Sequence, residues 1–411
     1  MIKEKSMASS NGCIRSPSRR RVLRTAAQIG GALALGFPAP AILAQARAPV
    51  RIGVLNTYTG AIAFEGSHAL DGMNLYFDSI GRRIAGCPIE LIIEDDQGSP
   101  QVGLQKIRKL VESDKVALVC GPQASAVAMA ILNYIKEHQA FLVVSGAGND
   151  AITWQRIPYM FRTSITSWQI ADPMGPWVYD NLGKEAVLLG SDNAPGHDVT
   201  TEFGASFIAK GGKVLKKIFP PFGTNDFSPY LTDLISIGAP VSYSWFAGTD
   251  AVRFIQQYAQ LGIKKKTRMA GFAALIESTV IQAVGEDALG VITSTIYTDT
   301  LDNSANKIFV SDFRAKFKDY PDLFAEYGYT AAKVVAETLK ATDGDTDKDK
   351  MAAAMINVAF EAPRGPFRFD PVTHHPIQNV YVCEVQSIGG RLVDKDILTV
   401  KEVRDPGTKQ Y

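Results

Sequence analysis

Val116-Ala-Leu-Val-Cys-Gly-Pro-Gln-Ala-Ser125, followed by an amphipathic stretch to His138 and then by Phe141-Leu-Val-Val-Ser145, decides the architecture. A short apolar run, a glycine-proline loop, a helical pattern over 124–138 and a second apolar run are the parts of a β–α–β unit. Strands that are apolar on both sides belong to a parallel sheet covered by helices on each face. The alternation extends upstream, with strands over 51–56 and 89–94 and helices near 67–80 and 100–114. Downstream it restarts, with strands over 186–190, 214–218, 242–246, 268–271 and 291–295 and helices near 168–182, 198–211, 226–238 and 249–262. Two successive doubly wound sheets account for this pattern better than one sheet of ten strands. Helical stretches near 304–319, 324–341 and 347–360 follow, and 366–370 and 380–385 read as closing antiparallel strands.

The chain has 411 residues, 46% hydrophobic and 21% charged, enough for two ordinary domains with substantial cores. Its formal charge of +1 conceals an asymmetry, because residues 1–46 hold seven Lys or Arg and a single acid, Glu4. The remainder carries 36 bases against 41 acids, net −5, which gives no electrostatic reason to expect nucleic acid or an anionic membrane surface as a partner. After Ala46 no apolar run reaches the roughly 18 residues that a membrane span needs, so no membrane anchor is expected.

Ser18-Arg19-Arg20-Arg21-Val22-Leu23-Arg24 precedes an apolar small-residue stretch over 26–43 and then Ala44-Gln45-Ala46. This is a signal-peptide layout resembling the twin-arginine pattern S-R-R-x-F-L-K, with cleavage before Arg47 and a periplasmic destination. No cysteine lies at the cleavage region, which favours a free protein over a lipoprotein. Cys87 and Cys120 border strand-like runs and read as small core residues; no disulfide and no zinc site is expected among Cys87, Cys120 and Cys383.

In order and spacing, several dispersed motifs resemble the leucine/isoleucine/valine-binding-protein family of periplasmic receptors for ATP-driven importers. They are Arg51-Ile-Gly-Val-Leu with Thr59-Gly60, Ile89-Glu-Leu-Ile-Ile-Glu-Asp-Asp-Gln97 with Pro100, Gly121-Pro122 with Ser125, Tyr159-Met-Phe-Arg-Thr163 and Gly365-Pro-Phe-Arg-Phe-Asp370. The resemblance implies an α/β fold of two doubly wound parallel-sheet lobes joined by a three-strand hinge. It places crossings near 166, 296 and 373, so that 47–166 plus 297–373 form one lobe and 167–296 plus 374–411 the other. It also implies a monomer that needs no cofactor, captures a small-molecule ligand and hands it to membrane permease and ATPase subunits. A periplasmic sensor subunit would use the same closing lobes.

In doubly wound sheets ligands lie outside the carboxyl ends of the strands, beside helix N-termini. Gln123, Ala124 and Ser125 occupy one such loop, and Ala147 and Asn149 the next. By resemblance, the Ser125 hydroxyl and the amides of Ala147 and Asn149 hold a ligand carboxylate; the bland alternative makes Ser125 a helix cap. The family's ammonium-binding acid aligns with Ala273, and burying an ammonium without a counter-charge costs several kcal/mol. An unmodified α-amino acid is therefore disfavoured unless Glu65 substitutes. Trp168 and Phe272 are placed to stack on a flat ligand, Phe64 is a further aromatic candidate for the site, and Trp245 is expected in core packing. An aromatic or apolar carboxylate stands beside an amino acid or amide as the expected cargo.

No nucleophile elbow, phosphate loop or zinc helix occurs. A hydrolase built on Ser125 lacks a base, because His138 lies more than three turns along the same helix. The pair His374-His375 is expected in a solvated turn with its side chains on opposite faces, which disfavours a shared metal.

Overall fold

Alternate residues of the strand Glu185–Gly190 point into different cores: Val187 and Leu189 into one, Ala186 and Leu188 into the other. Ile52 and Val54 are divided from Leu55 in the same way in the strand Val50–Asn56. Each strand is thus a septum between two helical layers, the arrangement that a period of two with no polar face requires. The computed structural model describes residues 47–60 and 62–408, so the twin-arginine stretch lies outside the described residues.

The first sheet contains β1 (Val50–Asn56), β2 (Arg83–Ile84), β3 (Cys87–Asp95), β4 (Leu118–Cys120), β5 (Leu142–Val144) and β6 (Met160–Arg162). Its order is β2-β3-β1-β4-β5-β6, parallel except for the short edge strand β2. In the second sheet β7 (Glu185–Gly190), β8 (Lys213–Ile218), β9 (Val241–Trp245), β10 (Arg268–Phe272) and β11 (Ile292–Thr295) run parallel in the order β8-β7-β9-β10-β11. The edge strand β8 exposes Lys213, Lys216 and Lys217, charges that discourage pairing with another chain.

The chain ends in β12 (Ala359–Ala362), β13 (Gly365–Phe369), β14 (Pro376–Ile388) and β15 (Arg391–Val403). All pair antiparallel, and β14 spans the molecule, joining β13 at its start and β11 further along. Phe367 and Phe369 sit in the core of the first sheet, and Val380 and Val382 in a core of the second.

A buried polar network ties the passages between the sheets. The Gln169 amide donates to the carbonyls of Pro376 (3.1 Å) and Val403 (2.9 Å), and Gln378 donates to Ser164 O and Gln169 Oε1. The Thr166 hydroxyl donates to Asp405 at 2.6 Å. Arg364 donates to Thr163 O and Gln378 Oε1 and pairs with Glu326, both side chains being fully buried.

Several expectations are corrected. The helix expected over 168–182 is two, Ser167–Ala171 and Met174–Asn181, because Pro173 interrupts it. The stretch expected to be helical to 360 stops at Met355, and its end becomes β12. The His374-His375 turn is not solvated: His374 stacks on Phe161 with ring centroids 4.3 Å apart, and His375 is fully buried beside Pro376 O. Cys87, Cys120 and Cys383 are buried.

Candidate ligand-binding site

The carboxyl ends of β4, β5, β7, β9 and β10 open on a cavity of ≈ 470 Å³ between the two sheets. Helix starts converge on it from both sides: Ser125–His138 from the first sheet, Ala194–Ala209 and Gly248–Gln260 from the second. The Ser125 and Gly248 helices have alanine at the cap position, Ala124 and Ala247, and neither receives a side-chain cap. Their first-turn N–H groups are therefore left for whatever fills the cavity, at the positive end of each helix dipole. The Ala194 helix differs, since Asn193 Oδ1 accepts from Gly196 N.

Ser125 lines the cavity and is the first residue of its helix rather than the cap. Its Oγ accepts from the backbone N–H groups of Gly148 and Asn149, both at 3.2 Å, so the oxygen is fixed and its proton can point into the cavity. The two neighbouring expectations change. Ala147 is fully buried and its N–H donates to Pro122 O at 3.0 Å, so it lies beneath the cavity rather than on it. The Asn149 N–H is taken by Ser125, and its side chain is committed twice. Oδ1 accepts from Ala151 N at 2.9 Å, and Nδ2 donates across the cleft to Asp198 Oδ2 at 2.7 Å.

Gln123, Ala124, Phe64 and Glu65 line the cavity as expected. Gln123 Nε2 donates to Glu65 Oε2 at 2.8 Å. Ala273 does not reach this cavity; it borders a smaller one of ≈ 160 Å³ behind, while Ala274 and Glu277 face the cleft. The turn Ala273–Ile276 winds as a 3-10 helix and carries Glu277 forward, so the wall that alignment left without an acid has one. The missed signal was an acid directly preceding a short helix, Ser278–Val284, after a strand of the second sheet.

Three carboxyl groups therefore line the cavity, Glu65, Asp198 and Glu277, with no Lys, Arg or His among the described lining residues. Burial pushes the Glu65 carboxyl up to about 8, with Glu277 adding to the shift and the Gln123 hydrogen bond opposing it. Burial raises Glu277 to about 7 against the Thr279 hydrogen bond. Asp198 is raised by burial and held back by Asn149.

The walls are apolar and aromatic: Phe64, Trp245, Phe272, Phe324 and Tyr327 line them, and Phe222 stands at the mouth, 59% exposed. Trp245 packs against a core, as expected, and also lines the cavity. Trp168 does not line it; its ring packs against a core, and its backbone N–H donates to Asp150 Oδ1 at 3.1 Å. Among the described residues no His, Asp or Glu side chain hydrogen-bonds to Ser125 Oγ, whose partners are the Gly148 and Asn149 N–H groups, and His138, at the far end of its helix, stacks on Tyr134. Among the described residues no group of three or more His, Cys, Asp or Glu side chains is arranged to hold a metal ion.

Residues 49–390 match the model of the periplasmic binding protein family. The Leu/Ile/Val-binding protein homolog 6 of Brucella melitensis is 30% identical over 366 residues, which is 88% of this chain and 94% of the relative. Among solved structures, an ABC transporter substrate-binding protein from Sphaerobacter thermophilus superimposes with a TM-score of 0.85 at 32% identity, over 88% of this chain and 100% of that one. A solute-binding protein of an ABC transporter from Rhodopseudomonas palustris BisB5, in complex with 3,4-dihydroxybenzoic acid, superimposes with a TM-score of 0.83 at 30% identity, covering 88% and 99%. The chain belongs to the periplasmic binding protein family, in its leucine/isoleucine/valine-binding group of two-lobed solute-binding proteins.

Proposed function

We propose that this protein is the periplasmic receptor of an ABC importer and captures a small solute with a carboxylate at one end and an aromatic or apolar body. The carrying observation is the Ser125 corner, a fixed hydroxyl at the start of a helix left uncapped by Ala124, opening between aromatic walls. An anion held there is stabilised by free N–H groups and the helix dipole without needing a lysine or arginine. The Rhodopseudomonas palustris relative, whose ligand is an aromatic carboxylate, supports the same reading. The twin-arginine stretch fits export of the folded protein to the periplasm as a free monomer, where permease and ATPase subunits of the importer are its partners. Among the described residues no helix is long and apolar enough to cross a membrane.

An α-amino acid is the second reading, favoured by Glu65, Asp198 and Glu277, any of which can receive an ammonium. A thermal-shift screen with benzoates, aliphatic acids, amino acids and amides tests both readings, since a solute that binds only the native state raises its melting temperature. Benzoates or other carboxylates are expected to stabilise the protein. Stabilisation by amides or sugars alone, with no carboxylate active, would remove the carboxylate anchor.

A further inference from the structure

We infer that Asp150 is a positioning residue for closure: without touching the solute, its carboxyl seats the second half of the molecule on the loop that anchors the solute. The inference rests on the proposed capture of a carboxylate between the two sheets and adds to it a residue outside the cavity. Asp150 opens the short helix Asp150–Trp154, one residue after Asn149; it is buried and does not line the cavity. Its Oδ1 accepts the backbone N–H of Trp168 at 3.1 Å, in the helix Ser167–Ala171, the first element after the chain leaves β6 for the second sheet. Beside that bond the Ser167 N–H donates to Gly148 O at 2.9 Å. Arg162, the last residue of β6, completes the joint by donating to Ile165 O at 2.7 Å and to Asn149 O at 2.8 Å.

Residues 148–150 therefore hold two things at once. Towards the cavity, the N–H groups of Gly148 and Asn149 fix Ser125 Oγ, and the Asn149 amide reaches Asp198 in the helix Ala194–Ala209. Away from it, Gly148 O and Asp150 hold the start of the helix Ser167–Ala171. These two helices of the second half share one core through Ile170, Ala171, Val199 and Phe203, so consecutive side chains, Asn149 and Asp150, grip a single packed unit. Hydrogen bonds tolerate only small changes of length and angle, so a shift of the loop when Ser125 takes a solute carries the start of Ser167–Ala171 with it. A carboxyl is a costly acceptor for one buried N–H. Burial pushes Asp150 up to about 7, with Asp405 and Glu202 adding to the shift and the Trp168 N–H and Arg162 opposing it. Glu202 belongs to the helix Ala194–Ala209, so the second half itself helps to keep a proton on Asp150, and the acid remains an acceptor in either state.

The experiment compares the parent with Asp150→Leu and Asp150→Asn, using benzoate, 4-hydroxybenzoate and 4-methylpentanoate as probes. Isothermal titration reads affinity, and small-angle X-ray scattering, without probe and at saturation of each variant, reads closure. Asp150→Leu leaves the Trp168 N–H buried without an acceptor, whereas Asp150→Asn keeps one. We expect Asp150→Leu to bind at least about tenfold more weakly and to lose the compaction that the probe produces in the parent. Asp150→Asn is expected to stay within about threefold of the parent and to compact fully. If Asp150→Leu does not fold, Asp150→Ala, which deletes the acceptor without adding bulk, is read instead. Parent-like binding by Asp150→Leu and Asp150→Ala would overturn the inference, and so would weaker binding with compaction unchanged, which reduces Asp150 to a prop of the anchor loop. A parent that binds without compacting also overturns it, as does an Asp150→Asn variant as impaired as Asp150→Leu, since the joint would then depend on charge. All of these outcomes leave the carboxylate anchor standing. No binding of any of the three probes by the parent would remove the anchor and this inference with it.

Discussion

In the proposed anchor the chemistry is concentrated in one oxygen, Ser125 Oγ, which accepts two backbone N–H groups and has a single proton to give. Ser125→Ala removes that donor and frees both amides, and we expect it to weaken carboxylate binding by roughly 1–3 kcal/mol, about 5- to 150-fold. Titration of the variant with the solute identified by screening checks this, and unchanged affinity would exclude Ser125 from the site. Ser125 and Phe272 were legible in the sequence because they sit where a strand ends or a helix begins, positions that the apolar pattern locates, whereas Glu65 was picked out by the family resemblance and Phe64 as its aromatic neighbour. Glu277 and Tyr327 were not. Glu277 depends on a 3-10 turn that shifts the loop by a few residues, and Tyr327 lies inside the helix Leu323–Ala341, far along the chain from every strand end that frames the cleft. Ala147 and Trp168 fall outside the cavity for the complementary reason: the loop and helix were located, but the direction of the Ala147 amide is set by its bond to Pro122 and that of the Trp168 ring by packing against a core, which no local pattern reveals.

Helices rather than loops fix the first half of the cleft. The helices Ala63–Ser79 and Leu323–Ala341 touch backbone to backbone, at glycines: a Cβ on Gly72 would stand 1.8 Å from Ala325 O, and one on Gly328 1.7 Å from Ala69 O. Neither contact has a flexible side chain that can give way, so Gly328→Ala must push the helices apart. A loss of at least ~1–3 kcal/mol in stability is expected, read as a melting temperature lowered by several degrees. A variant melting like the parent would mean that the interface is looser than the structure shows. Because Phe64 and Glu65 ride on one of these helices and Phe324 and Tyr327 on the other, weakened solute binding should accompany the lost stability. At this scale most strands and helices were readable from apolar periodicity. The exceptions have local causes: Pro173 splits one helix, and β12 and β15 alternate too weakly to stand out until antiparallel neighbours pair with them.

Across the whole molecule, the Asn149–Asp198 hydrogen bond bridges the cleft between residues that neither sheet holds alone. Asn149 is oriented by its bond from Ala151 N, which leaves its amide N–H to face Asp198. We expect this bond to act as a latch after entry, so that Asp198→Ala speeds solute release more than it slows capture. For a half-buried charge-assisted bond a loss of about 1 kcal/mol, roughly fivefold in dissociation rate, is expected by stopped-flow displacement. An equal slowing of association would place Asp198 in the entry path instead. The order of sheets and the family were legible from the chain alone, whereas the latch and the buried network around Gln169, Gln378 and Arg364 were not, since their members lie up to 234 residues apart.

The two alanine caps carry a last consequence. A serine, threonine or aspartate at such a position typically adds ~0.5–2 kcal/mol, and this chain forgoes that at both Ala124 and Ala247. A solute held at the proposed anchor would complete secondary structure as well as occupy space, with cargo serving as the cap that neither alanine provides.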